Sequence, residues 1–409
     1  MKTLYKTLIT FLSLFVLFTS AVSAAEFPWQ EAQANLLPNG DIQWAPRPYT
    51  FLPGNEVRYI DYQNGDDSNS GTSKNDPWKH HPWDHDATGN AAGTSGVMTY
   101  VFRGGSIYRG QLNATESGTP EEPIRLTYDP SWGEGRPWFF GSTKLPASWV
   151  RADTVDYPER LPEPEQVWAI DLEKAGVPLE NGTIAFLQAG SGRTAPRDST
   201  RLGLFQVDGP DAFTQIHLAR TPDWQPMGQN FAMDYWHTTD APYEPKNNEG
   251  KSIAEGFTDD IWAGKDLPQD YFTGGTIWMG YRSLMGVPTP ASIGATFKNK
   301  RGEVPYFNPE AGALMHRAIP WGHGKGNLPY MIENLPQFLD APGEFYIDSS
   351  TGTLFVRLAE GVNPNETHLE LATHEGQIRI NSHSHIEIAG LGFAFSQGIT
   401  LDIRNSSED

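Results

Sequence analysis

The sequence predicts an all-β protein whose later part is a parallel β-helix, and three observations predict it. Apolar residues recur in twos at Leu369/Leu371, Ile378/Ile380, Ile386/Ile388, Phe393/Phe395 and Ile399/Leu401/Ile403, which is the period of a strand. Successive strands begin roughly six to nine residues apart, so three of them fill the roughly 22 to 25 residues of a solenoid coil. Turn residues (Gly, Pro, Asn, Asp) separate the strands, with no helical periodicity between them. Each coil buries its apolar residues only by stacking on the next, so the fold needs several coils and a cap.

The chain opens with an export signal. Lys2 and Lys6 supply its positive region, residues 8–18 its apolar run, and Val22-Ser23-Ala24 a small-residue cleavage site. Residues 1–24 are therefore expected to be removed and the protein to be secreted, to the periplasm or the cell exterior. No later segment reaches the roughly 18 uninterrupted apolar residues of a membrane span, so no membrane insertion is expected after cleavage. Cysteine is absent, so an exported chain of this size must be held by its core and backbone pairing. The formal charge of -20 leaves no basic surface to displace counterions from phosphate, which excludes a nucleic-acid partner.

Residues 25–150 read as an extended arm followed by the first coils. Val57-Arg58-Tyr59-Ile60-Asp61 is a strand, and the polar loop after it gathers Asp61, Asn64, Asp66, Asp67 and Asn69. Carboxylates are the hard ligands Ca²⁺ prefers, so Asp61, Asp66 and Asp67 are the candidate metal ligands and Ca²⁺ the candidate cofactor. The loop lacks the full Asp-x-Asp-x-Asp-Gly register, and Asx turns alone account for such residues. His80, His81, His85, Asp84 and Asp86 follow; Pro82 and their short spacing favour a hydrogen-bonded loop over a tetrahedral site. Arg103, Arg109 and Arg125 stand on or beside the next strands, where they pin loops or meet an anionic sugar.

Residues 151–166 are rich in Pro and charge and mark an insertion boundary. An inserted β-rich subdomain with long loops is expected over 151–329. Its aromatic and histidine residues Trp224, Trp236, His316, Trp321 and His323 are the candidate substrate-binding groups, because sugar C–H faces pack on Trp rings. Residues 330–409 are expected to hold a Pro-Gly motif that leads into further coils. Asp340, Glu344 and Asp348 within that motif sit at turns, where carboxylates commonly cap backbone N–H groups. The polar turn at 404–409 has the form that precedes another strand, so C-terminal coils are expected to be missing.

Several stretches carry a family resemblance. The strand 57–61 with its Asx-rich turn, Gly71-Thr72 and Pro77-Trp78 is one. Arg103-Gly104-Gly105, Tyr108-Arg109-Gly110 and Ser117-Gly118-Thr119-Pro120 form a second, and Asp208-Gly209 with Ala219-Arg220-Thr221-Pro222 a third, with Thr221 where an aromatic is commoner. The most specific is Glu333-Asn334-Leu335, Leu339-Asp340-Ala341-Pro342-Gly343-Glu344-Phe345-Tyr346, Asp348 and Thr351-Gly352-Thr353-Leu354. Together these resemble secreted right-handed parallel β-helix enzymes, namely glycoside hydrolases of the β-xylosidase, xylanase and α-fucosidase type. The resemblance implies a right-handed β-helix with a small β-domain inserted between early coils, and a polysaccharide or oligosaccharide substrate of plant or algal origin. It places the Pro-Gly segment in the scaffold and the catalytic coils largely beyond Asp409.

Three functions remain open. Hydrolysis needs two carboxyl groups, about 5 to 5.5 Å apart for retention and farther for inversion; Glu387 and Asp402 lie on late strands, but the sequence singles out no catalytic residue. A polysaccharide lyase needs a base and a cation or arginine to neutralise a uronate carboxylate, and His383-Ser384-His385 and the acidic loop keep it in view. A non-catalytic carbohydrate-binding β-helix is the third.

Overall fold

The computed structural model describes residues 34–36, 42–44, 49–177, 203–209, 212–225, 235–280, 289–315, 328–374 and 376–405. The expected export signal and the candidates His316, Trp321 and His323 lie outside the described residues. The chain divides into two units, 1–52 and 53–409. In the first, Ala34–Leu36 and Ile42–Trp44 form an antiparallel pair.

The second unit is all-β, and its first and last parts build three parallel sheets. Val57–Ile60, Thr99–Gly104, Ile124–Gly133 and Ile386–Ile388 form the first. Ile107–Arg109, Trp138–Phe140 and Gly392–Ala394 form the second. Leu112–Asn113, Ile378–Asn381 and Leu401–Arg404 form the third. From Thr99 onward the chain visits the sheets in a fixed rotation of first, second, third. Thr99 lies beside Arg125 and Ile378 beside Leu401, spacings close to the roughly 22 to 25 residues expected from the pattern.

The cause of the stacking is the side chain on every second residue. Tyr100, Phe102 and Leu126 from the first sheet, Tyr108 and Phe139 from the second, and Leu112 and Ile378 from the third are buried in one cluster. Rings continue from strand to strand: Tyr108 stacks on Phe139 with centroids 5.1 Å apart, and Phe139 on Phe393 at 5.6 Å. Trp78, 1% exposed, closes one end of this cluster. Gly71 faces it with φ +69, and a Cβ there would lie 2.6 Å from the indole. Gly71→Ala is accordingly expected to cost more than about 1 kcal/mol, read as a lower urea midpoint; an unshifted midpoint would show that the loop yields.

Between Phe140 and Ile378 the rotation is interrupted. The chain passes from the second sheet into antiparallel sheets and resumes at the third. The largest has eight strands in the order Val150–Arg151, Trp168–Asp171, Thr353–Arg357, Glu344–Asp348, Ala212–Leu218, Leu204–Gly209, Leu369–Ala372 and Ser142–Lys144. All its neighbours are antiparallel except Ala212–Leu218 with Glu344–Asp348, which run parallel. Pro329–Glu333 lies in a five-stranded sheet with Arg220–Thr221 and Thr276–Met279.

The stretch 330–358 therefore differs from the sequence expectation of a direct lead into further coils. A four-residue turn can join only antiparallel strands, since parallel neighbours need a crossover of a dozen residues or more. Asp348 caps that turn by accepting from the Ser350 N–H at 2.8 Å and the Ser350 hydroxyl at 2.6 Å. Period-two alternation then gives the sheet two faces. Phe345, Ile347, Leu354, Val356 and Ile216 enter one apolar cluster, while Phe355, Ala169 and Ala219 enter another that contains Tyr330, Phe272 and Phe307. Among the described residues no helix is long and apolar enough to cross a membrane.

Candidate functional site

The three acidic candidates for a metal do not converge. Asp61 accepts from the N–H groups of Gln63 and Asn64, from the Asn64 amide at 3.1 Å and from Arg103 at 2.7 Å. Burial alone would raise its pKa, but these bonds hold the carboxyl below its ordinary value. Asp67 accepts from the Lys79, His80 and Thr88 N–H groups and faces His80 Nδ1 at 2.8 Å; these bonds outweigh burial there as well. Asp66 caps Ser68. Their oxygens are spent on stitching the loop. Among the described residues the set of three acidic and histidine groups whose ligand atoms all come within 4.8 Å of one another is Asp84, His85 and Asp86, two of them exposed.

The arginines of the parallel sheets are also paired: Arg103 with Asp61, Arg125 with Glu387 at 2.5 Å, and Arg109 with Glu370. Glu387 and Arg125 are register partners, as are Asp402 and Arg379. The two late-strand carboxylates thus sit in ion pairs along the stack.

Trp224 is exposed and stacks on His217, with centroids 4.6 Å apart and planes at 14°. Trp236 is half-buried beside the Arg220 guanidinium, 6.0 Å from its ring. This region concentrates buried polar atoms with no hydrogen-bond partner. Of ten such side-chain atoms among the described residues, six are Arg220 Nη2, Trp236 Nε1, Asn334 Oδ1, both Glu344 oxygens and Arg357 Nη1. Native proteins leave few such groups, and each calls for an explanation.

Strand register explains why two of these residues, Glu344 and Arg357, share one sheet face with His217. His217 is directly opposite Glu344 across the parallel pair, and Glu344 directly opposite Arg357 across the hairpin. The row occupies the sheet face that elsewhere carries Phe355 and Ala219. Burial, then the negative charges of Asp223 and Asp340, push the Glu344 carboxyl up to about 9, against the pull of the Arg220 charge. Burial and then Arg220 bring His217 down to about 4. At neutral pH Glu344 is therefore a protonated acid and His217 a neutral imidazole. Both Glu344 oxygens are sealed from solvent, so this acid has no path to a substrate in the surrounding water.

The neighbouring cleft is open. It encloses about 790 Å³ between Arg151, Trp168, Gln166, Arg357, Pro342 and the loop 358–363. Arg151 and Trp168 are opposite one another on adjacent strands, and the guanidinium lies 3.9 Å from the ring centroid. Arg357 directs Nη2 to Gln166 Oε1 at 2.6 Å and to Glu163 Oε2 at 2.7 Å. Glu165 and Glu360 also line the opening. Sequence reasoning took 151–166 as a boundary and Trp168 as an ordinary strand residue. The arginine that covers its ring comes from the edge strand, and the loop facing it from a segment about 190 residues later, so no local pattern marks the cleft.

No family model and no curated protein sequence matches the chain. Among solved structures, one described as a glycoside hydrolase is similar over 83% of this chain and 51% of its own, at 15% identity and a TM-score of 0.48. The XylC complex with xylose is similar over 84% of this chain and 36% of its own, at 12% identity and a TM-score of 0.31. The GH136 lacto-N-biosidase from Eubacterium ramulus is similar over 23% of this chain, at 19% identity and a TM-score of 0.17. The chain spans about half the length of the first of these structures.

Proposed function

We propose that the chain belongs to a secreted carbohydrate-active protein built on a right-handed parallel β-helix with an inserted antiparallel β-domain, and that it serves the hydrolysis of a plant or algal polysaccharide. One observation carries this reading. Two segments of the family resemblance, Ala219-Arg220-Thr221-Pro222 and Leu339 to Tyr346, lie more than a hundred residues apart yet meet as neighbours. The Ala219 N–H donates to the Phe345 carbonyl at 2.7 Å, and the Asn334 N–H to the Ala219 carbonyl at 2.8 Å. Motifs that interlock in space behave as one architectural unit, which is what the resemblance requires of them.

A second reading, glycan binding without catalysis, is favoured by the enclosure of Glu344. The most strongly perturbed carboxyl among the described residues is inaccessible, and glycoside hydrolysis needs an accessible pair. Incubation of the full chain with a panel of plant and algal polysaccharides separates the readings. New reducing ends without the ultraviolet absorbance of an unsaturated uronate are the expected result. That absorbance would identify β-elimination instead, and binding with no new ends would favour the second reading.

A further inference from the structure

The cleft beside Trp168 holds an arginine in an unusual state. Arg151 is exposed, its guanidinium carbon lies over an indole at 3.9 Å from the ring centroid, and among the described residues its N–H groups donate to no acceptor. Stacking orders the planar fork without consuming its donors, which line the edge of the plane. Such a fork matches a carboxylate in two parallel hydrogen bonds. Arg357 adds a second positive charge to the same cleft, nine-tenths buried and only partly engaged by Gln166 and Glu163. Glu165 and Glu360 line the same opening, so preference for an anion rests on the unengaged fork of Arg151 and not on a net positive field.

The remaining lining suits a sugar. Pro342, Leu358 and Val362 offer apolar surface for C–H faces, and Gln166 and Asn363 offer amides for hydroxyls. The volume lies within the roughly 300 to 1,000 Å³ usual for ligand sites. The indole face toward Arg151 is covered, so a neutral sugar has no stacking platform there; an anionic one has a fork.

We propose that this cleft binds an acidic oligosaccharide through the carboxylate of a uronate unit, held by Arg151 on its Trp168 support with Arg357 behind it. The assignment rests on the carbohydrate reading above and names the kind of glycan that reading leaves open.

Calorimetric titration of the full chain with a trigalacturonate and with its methyl ester tests it without any turnover. The acid is expected to bind at least about tenfold more tightly than the ester, the effect of one charge-assisted pair. Arg151→Lys, which keeps the charge and loses the fork, and Arg151→Ala are each expected to remove about that tenfold preference, with the parent's circular dichroism spectrum and urea midpoint as the check on folding. Equal affinity for acid and ester, an unaffected Arg151→Ala variant, no binding of either ligand, or tighter binding of a sulfated trisaccharide each overturns the assignment. Hydrolysis of neutral polymers alongside equal acid and ester affinity would sink this inference alone. Uronate binding with no hydrolysis of any polymer would sink only the hydrolytic reading.

Discussion

Replacing Glu370 by alanine is expected to destabilise the protein by about 2 to 3 kcal/mol, less than the cost of breaking a fully buried ion pair because Arg109 and His368 keep part of their side chains in solvent. Glu370 is 0% exposed on Leu369–Ala372 of the eight-stranded sheet. One of its oxygens pairs with Arg109, which belongs to the second parallel sheet, and lies 2.6 Å from His368 Nε2. The other accepts from the Ser142 hydroxyl at 2.8 Å. The group thus ties the antiparallel insertion to the parallel stack across 261 residues of sequence. Arg109 Nε already lacks an acceptor, so removal of the carboxylate leaves a half-buried guanidinium without its ion-pair partner. Glu370→Gln keeps an acceptor and should lose less. The urea midpoint of the two variants reads the effect; a curve for Glu370→Ala that overlays the parent would show that the two parts are not coupled through this group.

Glu344 predicts the opposite sign. Its carboxyl titrates from an ordinary value of 4.5 when unfolded to about 9 when folded. Below pH 4.5 both states are protonated and nothing is lost. As pH rises above 4.5 the unfolded state ionises while the folded state stays protonated, and the loss continues until pH passes the folded value. By pH 7 it reaches roughly 3 kcal/mol. The depressed histidines His217 and His237 act below their ordinary value of 6.5, where unfolded imidazole gains a proton that the folded one refuses. The window from pH 7 to pH 9 therefore isolates Glu344, with an expected slope of about 1.4 kcal/mol per pH unit. Glu344→Gln should flatten that slope and leave a protein more stable than the parent at pH 8 and similar at pH 4. Parallel stability profiles for the two proteins across the window would refute the assignment of a neutral acid.

Much of the parallel architecture was legible in the residues. Thr99 to Arg103, Ile107 to Arg109, Ile378/Ile380, Ile386/Ile388 and Phe393 showed their period directly and stand on parallel strands, whereas Phe395 falls just past its strand, Leu369/Leu371 stand on an antiparallel one, and Ile399, Leu401 and Ile403 are exposed. The turn role of Asp348 was legible too, since an Asx turn is a local event. Glu344 shows where local reasoning ends. It follows Pro342-Gly343 and looks like one more capping carboxylate, but it is the first residue of a strand whose parallel partner is Ala212–Leu218. That pairing buries it beside Asp223 and Asp340, and no spacing within the motif reports it. Asp61, Asp66 and Asp67 mark the converse limit: composition groups them as ligands, while the loop turns each toward different N–H donors.

The sequence by itself determined the all-β class and many of the strands and turns outside 223–326, because these depend on side-chain alternation and on backbone preferences within a few residues. Only the tertiary structure decided which strands pair. It set the antiparallel insertion between the second and third parallel sheets, brought Arg151 over Trp168, and enclosed Glu344 among acids. Pairing is chosen by how whole apolar faces are buried against one another, a property of segments hundreds of residues apart. The same burial fixes the charge states and the cleft, which is why the site emerged only with the fold.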